Sequence, residues 1–507
     1  MTGISRKIFH PLTIIVAMMV LLSCAPAVPG TLMPLIEVNP PEGYKPYIFD
    51  IEVESTASQQ RLSDSRPNII VIMTDDQPDH TIAYMPTVMK ELVPNGVNFT
   101  NAFVTTPLCC PSRASILSGE YAHNHQVYTN QFPEGGAEKF DATETVATWM
   151  KDAGYRTAYY GKYLNGYERL DPIGIVPPGW DEWGVFLGQG PDADEGGGNL
   201  EYFFNFTMSE NGTVVEYPRS KSNFGTDVVT IKSVDFINQA RNEPFFLFVG
   251  YYSPHSPYIS APRHRDSTFR VGTGWDWIQY RPPNFNEENI RDKPEYLQDI
   301  SPLSEGEVDT AHKQILRSLL SVDDGVASIL NALDKTGLKE NTVVVFLSDN
   351  GMTLGDHRFG VDKNCVYEAC VKIPFILYAP GLVEARSDDH LVANIDLVPT
   401  FIEWAGGEIP SSVDGLSFAD LLVNPNAKWR DEILLEHWPT EGGVGSMIPE
   451  FYAVRTVEWK YVEYVTGDKE LYDLVNDPYE LENLAGKRKY REIEVQLAAR
   501  LAELKKD

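Results

Sequence analysis

The sequence predicts an α/β fold: a large, mostly parallel central sheet flanked by helices, with a small C-terminal α+β subdomain. Three observations carry this expectation. Short, almost unbroken apolar runs recur along the chain and end in polar residues; segments with apolar residues at three- and four-residue spacing lie between them; and the texture changes near Ala427. An unbroken apolar run suits a strand buried on both faces, and strands alternating with amphipathic helices imply crossover connections and a parallel sheet.

In chain order, Arg6 and Lys7 precede an apolar run from Ile14 to Leu22, the pattern of an export signal over residues 1–23 and too short to span a bilayer comfortably. Leu21-Leu22-Ser23-Cys24 has the form of a bacterial lipobox, which would make Cys24 a lipid-tethered first residue; plain cleavage nearby is the alternative. Residues 24–66 are Pro-rich and aperiodic, and read as a linker or arm. The main domain, expected over 67–426, opens with the run Asn68–Met73, which leads into Thr74-Asp75-Asp76. Further runs are Thr157–Tyr160 before Gly161-Lys162, Pro244–Val249 ahead of His255, Thr342–Leu347 before Ser348-Asp349-Asn350-Gly351, and Ile373–Tyr378. Helical periodicity covers Thr145–Ala153, Asp227–Arg241 and Ala311–Leu338. In the tail, 427–507, a strand-like stretch Tyr452–Val465 can pair with Lys469–Leu474, and Ile493–Lys505 reads as an amphipathic helix.

The 507 residues carry 42 Lys+Arg against 72 Asp+Glu, a formal net charge of −30. Such a chain repels polyanions, so nucleic acid is excluded as a partner, and any anionic substrate requires a local basic site. Five cysteines are too few for a disulfide scaffold. Cys365 and Cys370 are left open between a disulfide and two free thiols.

Ligands of such sheets gather at the carboxyl ends of strands, and Asp75, Asp76, Lys162, His255, Asp349 and Asn350 all fall at or after predicted strand ends. Asp75-Asp76 alone reads as a turn or helix cap. Combined with Asp349-Asn350 it offers hard oxygen ligands, suited to Ca²⁺ or Mg²⁺ rather than zinc. Pro107-Leu108-Cys109-Cys110-Pro111-Ser112-Arg113 places a thiol at a proline-fixed turn, with a helix expected from about Ser112. Amides at that helix end and the Arg113 cation should depress the Cys109 pKa and make the thiol reactive.

Cys109-x-Pro111-Ser112-Arg113 with Leu117-Ser118-Gly119 resembles the motif of the type I, formylglycine-dependent sulfatases of the alkaline phosphatase superfamily. Thr74-Asp75-Asp76-Gln77, Gly161–Asn165, Pro254–Pro257, Ser348–Gly351, Lys363-x-x-x-Tyr367-Glu368 and Glu470–Leu474 follow in that family's order. The pair Cys109-Cys110, His123-Asn124-His125, Pro178-Gly179-Trp180 and Leu320–Asp324 resemble its N-acetylglucosamine-6-sulfatase and heparan endosulfatase branch. The resemblance implies an alkaline phosphatase-like sandwich and a sulfuric ester hydrolase acting on a sulfated saccharide. It also implies conversion of Cys109 to formylglycine by a maturation enzyme, and one Ca²⁺ held by Asp75, Asp76, Asp349 and Asn350 together with the converted residue 109. By the same resemblance a formylglycine-sulfate intermediate forms; Lys162, Lys363 and His255 bind the sulfate, and Arg113 orients residue 109. One departure stands out. Many sulfatases have a histidine two residues after the lysine matching Lys162, where this chain has Leu164; His125 and His357 are the candidates for the missing base. The alternatives are a phosphonate or phosphate monoester hydrolase on the same scaffold, and a non-catalytic glycan-binding lipoprotein. The chain is expected to be exported.

Overall fold

The computed structural model describes residues 38–39, 41, 44–50, 66–189, 202–271, 279–439 and 447–506. The signal segment and Cys24 lie outside them. Among the described residues no helix is long and apolar enough to cross a membrane.

Among the described residues ten strands form the main sheet, in spatial order Arg386–Ala393, Gly96–Phe103, Phe375–Tyr378, Thr342–Ser348, Asn68–Thr74, Phe245–Gly250, Arg156–Gly161, Glu182–Gln189, Phe206–Glu210 and Thr213–Tyr217. The centre is parallel. Thr342–Ser348 pairs with Asn68–Thr74 in register from Thr342↔Asn68 to Ser348↔Thr74, and Phe245–Gly250 and Arg156–Gly161 continue the same sense. Every residue of Asn68–Thr74 is buried. Ile69, Val71 and Met73 face the core under the helices Cys109–Ser118, Val146–Asp152 and Leu397–Trp404, whereas Ile70 and Ile72 face the core under Gly225–Gln239 and Glu305–Thr336. Burial on both faces is why these strands lack polar alternation.

Four of the five apolar runs are parallel strands. The fifth, Phe375–Tyr378, is antiparallel to both neighbours. A run of apolar residues records burial, not direction. The expected helix Ala311–Leu338 is longer, Glu305–Thr336, and stops at Gly337 in the left-handed conformation (φ 71°).

At the C-terminal end, Glu432–His437, Phe451–Thr456, Trp459–Tyr464 and Lys469–Asp473 make a four-stranded antiparallel sheet, covered by the helix Arg491–Leu504. The single strand expected over Tyr452–Val465 is thus a hairpin, bent at Val457-Glu458. Part of the expected N-terminal arm is pinned to the main domain. The Tyr44 hydroxyl donates to Asp323 (2.8 Å) and Asp324 (3.1 Å), Arg263 lies over the Tyr47 ring, and Val38–Asn39 pairs with Arg270–Val271.

Candidate active site

Because Asn68–Thr74, Thr342–Ser348, Phe245–Gly250 and Arg156–Gly161 are adjacent and parallel, their carboxyl ends deliver Asp75, Asp349, His255 and Lys162 to one edge of the sheet. Gly161 permits this crowding: at φ 109° it lies so near Gly250 that a Cβ there would sit 2.0 Å from the Gly250 carbonyl oxygen. The structure brings all nine predicted site residues into one linked cluster.

Lys162 Nζ donates to Asp75 Oδ2 at 2.5 Å. Lys363 Nζ bonds both Asp76 Oδ1 and the Cys109 thiol. Arg113 Nε donates to Asp349 Oδ2 at 2.7 Å, its Nη1 donates to the Lys162 carbonyl oxygen at 2.7 Å, and its Nη2 lies 3.7 Å from Asp75 Oδ2. Asn350 Nδ2 donates to Asp76 Oδ1 at 2.8 Å, and the Asp76 amide donates to Asp349 Oδ1 at 3.0 Å. His255 Nε2 is 3.5 Å from Asp76 Oδ2, and its Nδ1 is 2.7 Å from the Ser256 carbonyl oxygen. Asp76 adopts a left-handed backbone (φ 62°), a sparsely populated conformation for a residue other than glycine.

Three acids face three strong cations, and the balance decides their protonation. Burial pushes the Asp75 carboxyl up, but Lys162, His255, Arg113 and Lys363 outweigh it and hold it well below the usual carboxylate range. Asp76 is likewise lowered against its burial, chiefly by Lys363 and His255. Asp349 is raised by burial and by Asp75, despite Arg113. Cys109 departs from expectation. Its helix starts at Cys109 itself, and burial pushes the thiol up to about 12, against the pull of Lys162 and Lys363. The residue is 1% exposed and Arg113 is committed to Asp349 and Asp75, so desolvation overrides the local argument for a reactive thiolate.

Asp75, Asp76, Cys109 and His255 each offer a ligand atom within 4.8 Å of the others. Among the described residues, Asp75 Oδ1 and Asn350 Oδ1 are buried without a hydrogen-bond partner, as is Arg113 Nη2. Buried acceptors left unsatisfied beside paired carboxylates fit a hard cation with oxygen ligands.

Neither candidate base joins the cluster by a described bond. His125 Nε2 meets Ser115 Oγ at 3.0 Å, and His357 Nδ1 meets Glu287 at 2.6 Å. His357 is buried and His125 half-buried, and desolvation pushes both pKa values down. Cys365 and Cys370 form a disulfide that brackets the turn after Lys363. Ser112 of the cysteine motif donates its Oγ to the Asp349 carbonyl oxygen and takes a bond from Asn394 Nδ2, while Tyr159 donates to the Lys162 carbonyl oxygen at 2.6 Å. Asn394 and Tyr159 lie outside every motif, with no distinctive spacing to mark them. A cavity of about 330 Å³ at the far end of the Cys109 helix, lined by Ser118, Glu120 and His125 among others, contains none of the nine residues.

The family model described as Sulfatase matches residues 67–407. The chain belongs to the sulfatase family. Residues 355–507 also match the model described as N-sulphoglucosamine sulphohydrolase, C-terminal. The chain is 31% identical over 411 residues to an extracellular sulfatase Sulf-1 homologue of Caenorhabditis elegans, covering 77% of this chain and 55% of that protein, so it spans about half the relative's length. It is 32% identical over 480 residues to N-acetylglucosamine-6-sulfatase of Homo sapiens, covering 84% of each. A solved structure of a protein in complex with its substrate D-glucosamine-2-N,6-O-disulfate superposes with a TM-score of 0.70 at 24% identity, over 87% of this chain and 98% of the other. That likeness shows the alkaline phosphatase-like sulfatase fold.

Proposed function

We propose that this sulfatase is an exported sulfuric ester hydrolase that removes sulfate from a sulfated saccharide carrying N-acetylglucosamine-6-sulfate or a glycosaminoglycan-like unit. The observation that carries the reading is the meeting of Cys109 with Lys162, Lys363, Arg113 and the Asp75–Asp76–Asp349–Asn350 set in one buried cluster. The names of the human and worm relatives support the choice of substrate and an exported location. The net reaction consumes one water: the sugar–oxygen–sulfur ester becomes a sugar alcohol, inorganic sulfate and a proton.

The residues present fit a Ca²⁺ held by Asp75, Asp76, Asp349, Asn350 and residue 109. Bound there, it would supply Lewis acidity, and formylglycine at position 109 would supply a hydrated aldehyde whose hydroxyl is the nucleophile. Lys162 and Lys363 bind the sulfate oxygens, in a site whose burial strengthens every charge interaction. His255, less enclosed than Lys162, is assigned the proton for the leaving sugar oxygen, with Lys363 as the alternative donor. Arg113 fixes Asp349 and the carbonyl of Lys162 relative to the helix that carries residue 109. We place the signal at 1–23, the arm at 24–66, the catalytic domain at 67–426 and the small subdomain at 427–507. A formylglycine-generating maturation enzyme and a lipid at Cys24 complete the proposal.

The test is expression with and without a formylglycine-generating enzyme, mass analysis of the peptide containing residue 109, and assay of sulfate release from 6-sulfated N-acetylglucosamine. An aldehyde at 109 together with sulfate release is the expected result. Turnover confined to phosphonate monoesters, or saccharide binding without turnover, overturns it.

A further inference from the structure

We infer that Tyr128, Trp438 and the His123–Glu436 pair form a saccharide subsite beside Cys109, which takes the sugar next to the one bearing sulfate. This rests on reading the site as a carbohydrate sulfatase, and its test is separable from that reading.

The Trp438 and Tyr128 rings lie 4.3 Å apart, tilted by 36°, and both are half-buried. Tyr452 supports Trp438 edge-on at 5.9 Å, and the Lys505 ammonium covers the Tyr452 ring at 3.7 Å. The indole is therefore braced by two rings and still only half-buried. Beside it, His123 Nδ1 meets Glu436 Oε1 at 2.7 Å, with Glu436 fully buried and its Oε2 without a hydrogen-bond partner among the described residues. Glu436 sits opposite Tyr452 across the strands Glu432–His437 and Phe451–Thr456, two residues before Trp438, so these groups form one cluster.

Two hydrogen bonds tie this cluster to the catalytic helix and to the segment that leads into it. Asn130 Oδ1, two residues after Tyr128, accepts from the Cys110 amide in the helix at 3.0 Å, and the Glu436 amide donates to the Thr105 carbonyl oxygen at 2.8 Å, four residues before Cys109. None of the cluster's described bonds goes to Lys162, Lys363 or His255, so the place is adjacent to the sulfate pocket and separate from it. A rigid aromatic face beside a charged polar pair matches a pyranose, which presents an apolar C–H face and a rim of hydroxyls. The main chemistry of the cluster is thus recognition of a neutral part of a longer saccharide.

The experiment compares wild type with Trp438→Ala, Tyr128→Ala and Trp438→Phe on three substrates: an aryl sulfate, 6-sulfated N-acetylglucosamine and a tetrasaccharide ending in that unit. For the alanine variants, kcat/KM on the tetrasaccharide should fall about tenfold, mainly through KM, with the two small substrates within about twofold. Trp438→Phe should recover most of the loss. An equal fall on all three substrates, or none on any, overturns the subsite. If matured wild type releases no sulfate from any ester, the functional reading fails. The subsite is then judged by quenching of tryptophan fluorescence with an unsulfated N-acetylglucosamine tetrasaccharide: quenching abolished by Trp438→Ala supports it, and quenching unchanged by that variant, or absent in wild type, overturns it.

Discussion

Two buried charge clusters border the segment from Lys363 to Val371, and they are built differently. On one side, Asp75, Asp76, Asp349, Arg113, Lys162 and Lys363 pair with one another yet leave Asp75 Oδ1, Asn350 Oδ1 and Arg113 Nη2 without partners among the described residues. On the other, Glu368 holds Arg455 at 3.0 and 3.1 Å, Lys460 holds Glu480 at 2.6 Å, and Glu480 Oε2 accepts the Glu368 amide at 2.8 Å. Close by, the Glu470 carboxylate accepts the hydroxyls of Tyr367, Tyr464 and Tyr472. No side-chain atom of this second network is left unsatisfied among the described residues. Complete satisfaction marks a joint between the main domain and the C-terminal sheet. Incomplete satisfaction marks a place shaped for something besides folding.

If that contrast is right, the two clusters respond oppositely to substitution. The largest effect belongs to the incomplete one: Cys109→Ala should cut sulfate release by at least about a thousandfold, with melting temperature unchanged or raised. Loss of fold in that variant would break the contrast. Next, Glu368→Ala leaves Arg455 buried without its acid and Lys460 with Glu480 alone, and should cost about 3–5 kcal/mol of unfolding free energy, read by urea denaturation. Activity in that variant should follow the folded fraction. Removal of divalent cations by a chelator should lower activity of the matured protein, restored by Ca²⁺, and should lower its melting temperature by a few degrees, about 1–3 kcal/mol by linkage. A chelator that leaves both unchanged would remove the reason given for the unsatisfied oxygens.

A smaller, pH-dependent effect sharpens the picture away from the site. Burial raises Asp323 from its ordinary 3.8 to about 6, against hydrogen bonds from Thr87, Tyr44 and Val88. A carboxyl raised on folding binds more protons folded than unfolded, so its contribution is fullest below about pH 4 and is lost as pH rises toward 6. Asp323→Asn should flatten that part of the stability–pH curve in denaturant titrations. Smallest of all, Arg500→Ala removes ion pairs to Glu432 and Glu503 on the surface and should shift stability by less than about 1 kcal/mol.

The site was more legible than the sheet, for a physical reason. Asp75, Lys162 and Asp349 stand directly after apolar runs, so burial pattern and chemistry mark the same spot. The strands Glu182–Gln189 and Gly96–Phe103 were missed because Gly184 and Gly188 interrupt one and Asn98 and Asn101 interrupt the other; Arg386–Ala393 carries Asp388, Asp389 and His390 at a bulge. The expectation of a reactive Cys109 thiol weighs only the helix end and Arg113, whereas the thiol's desolvation includes elements far along the chain. Glu436 lies more than 300 residues from His123 and has no spacing to announce it.

The enclosure of Cys109 also sets a timetable. With 1% of its surface open and its helix packed beneath the central sheet, no other macromolecule can grip that side chain in the finished fold. An enzyme that converts the thiol of Cys109 would therefore have to act while the nascent polypeptide is still open, before residues several hundred positions downstream arrive to close over it.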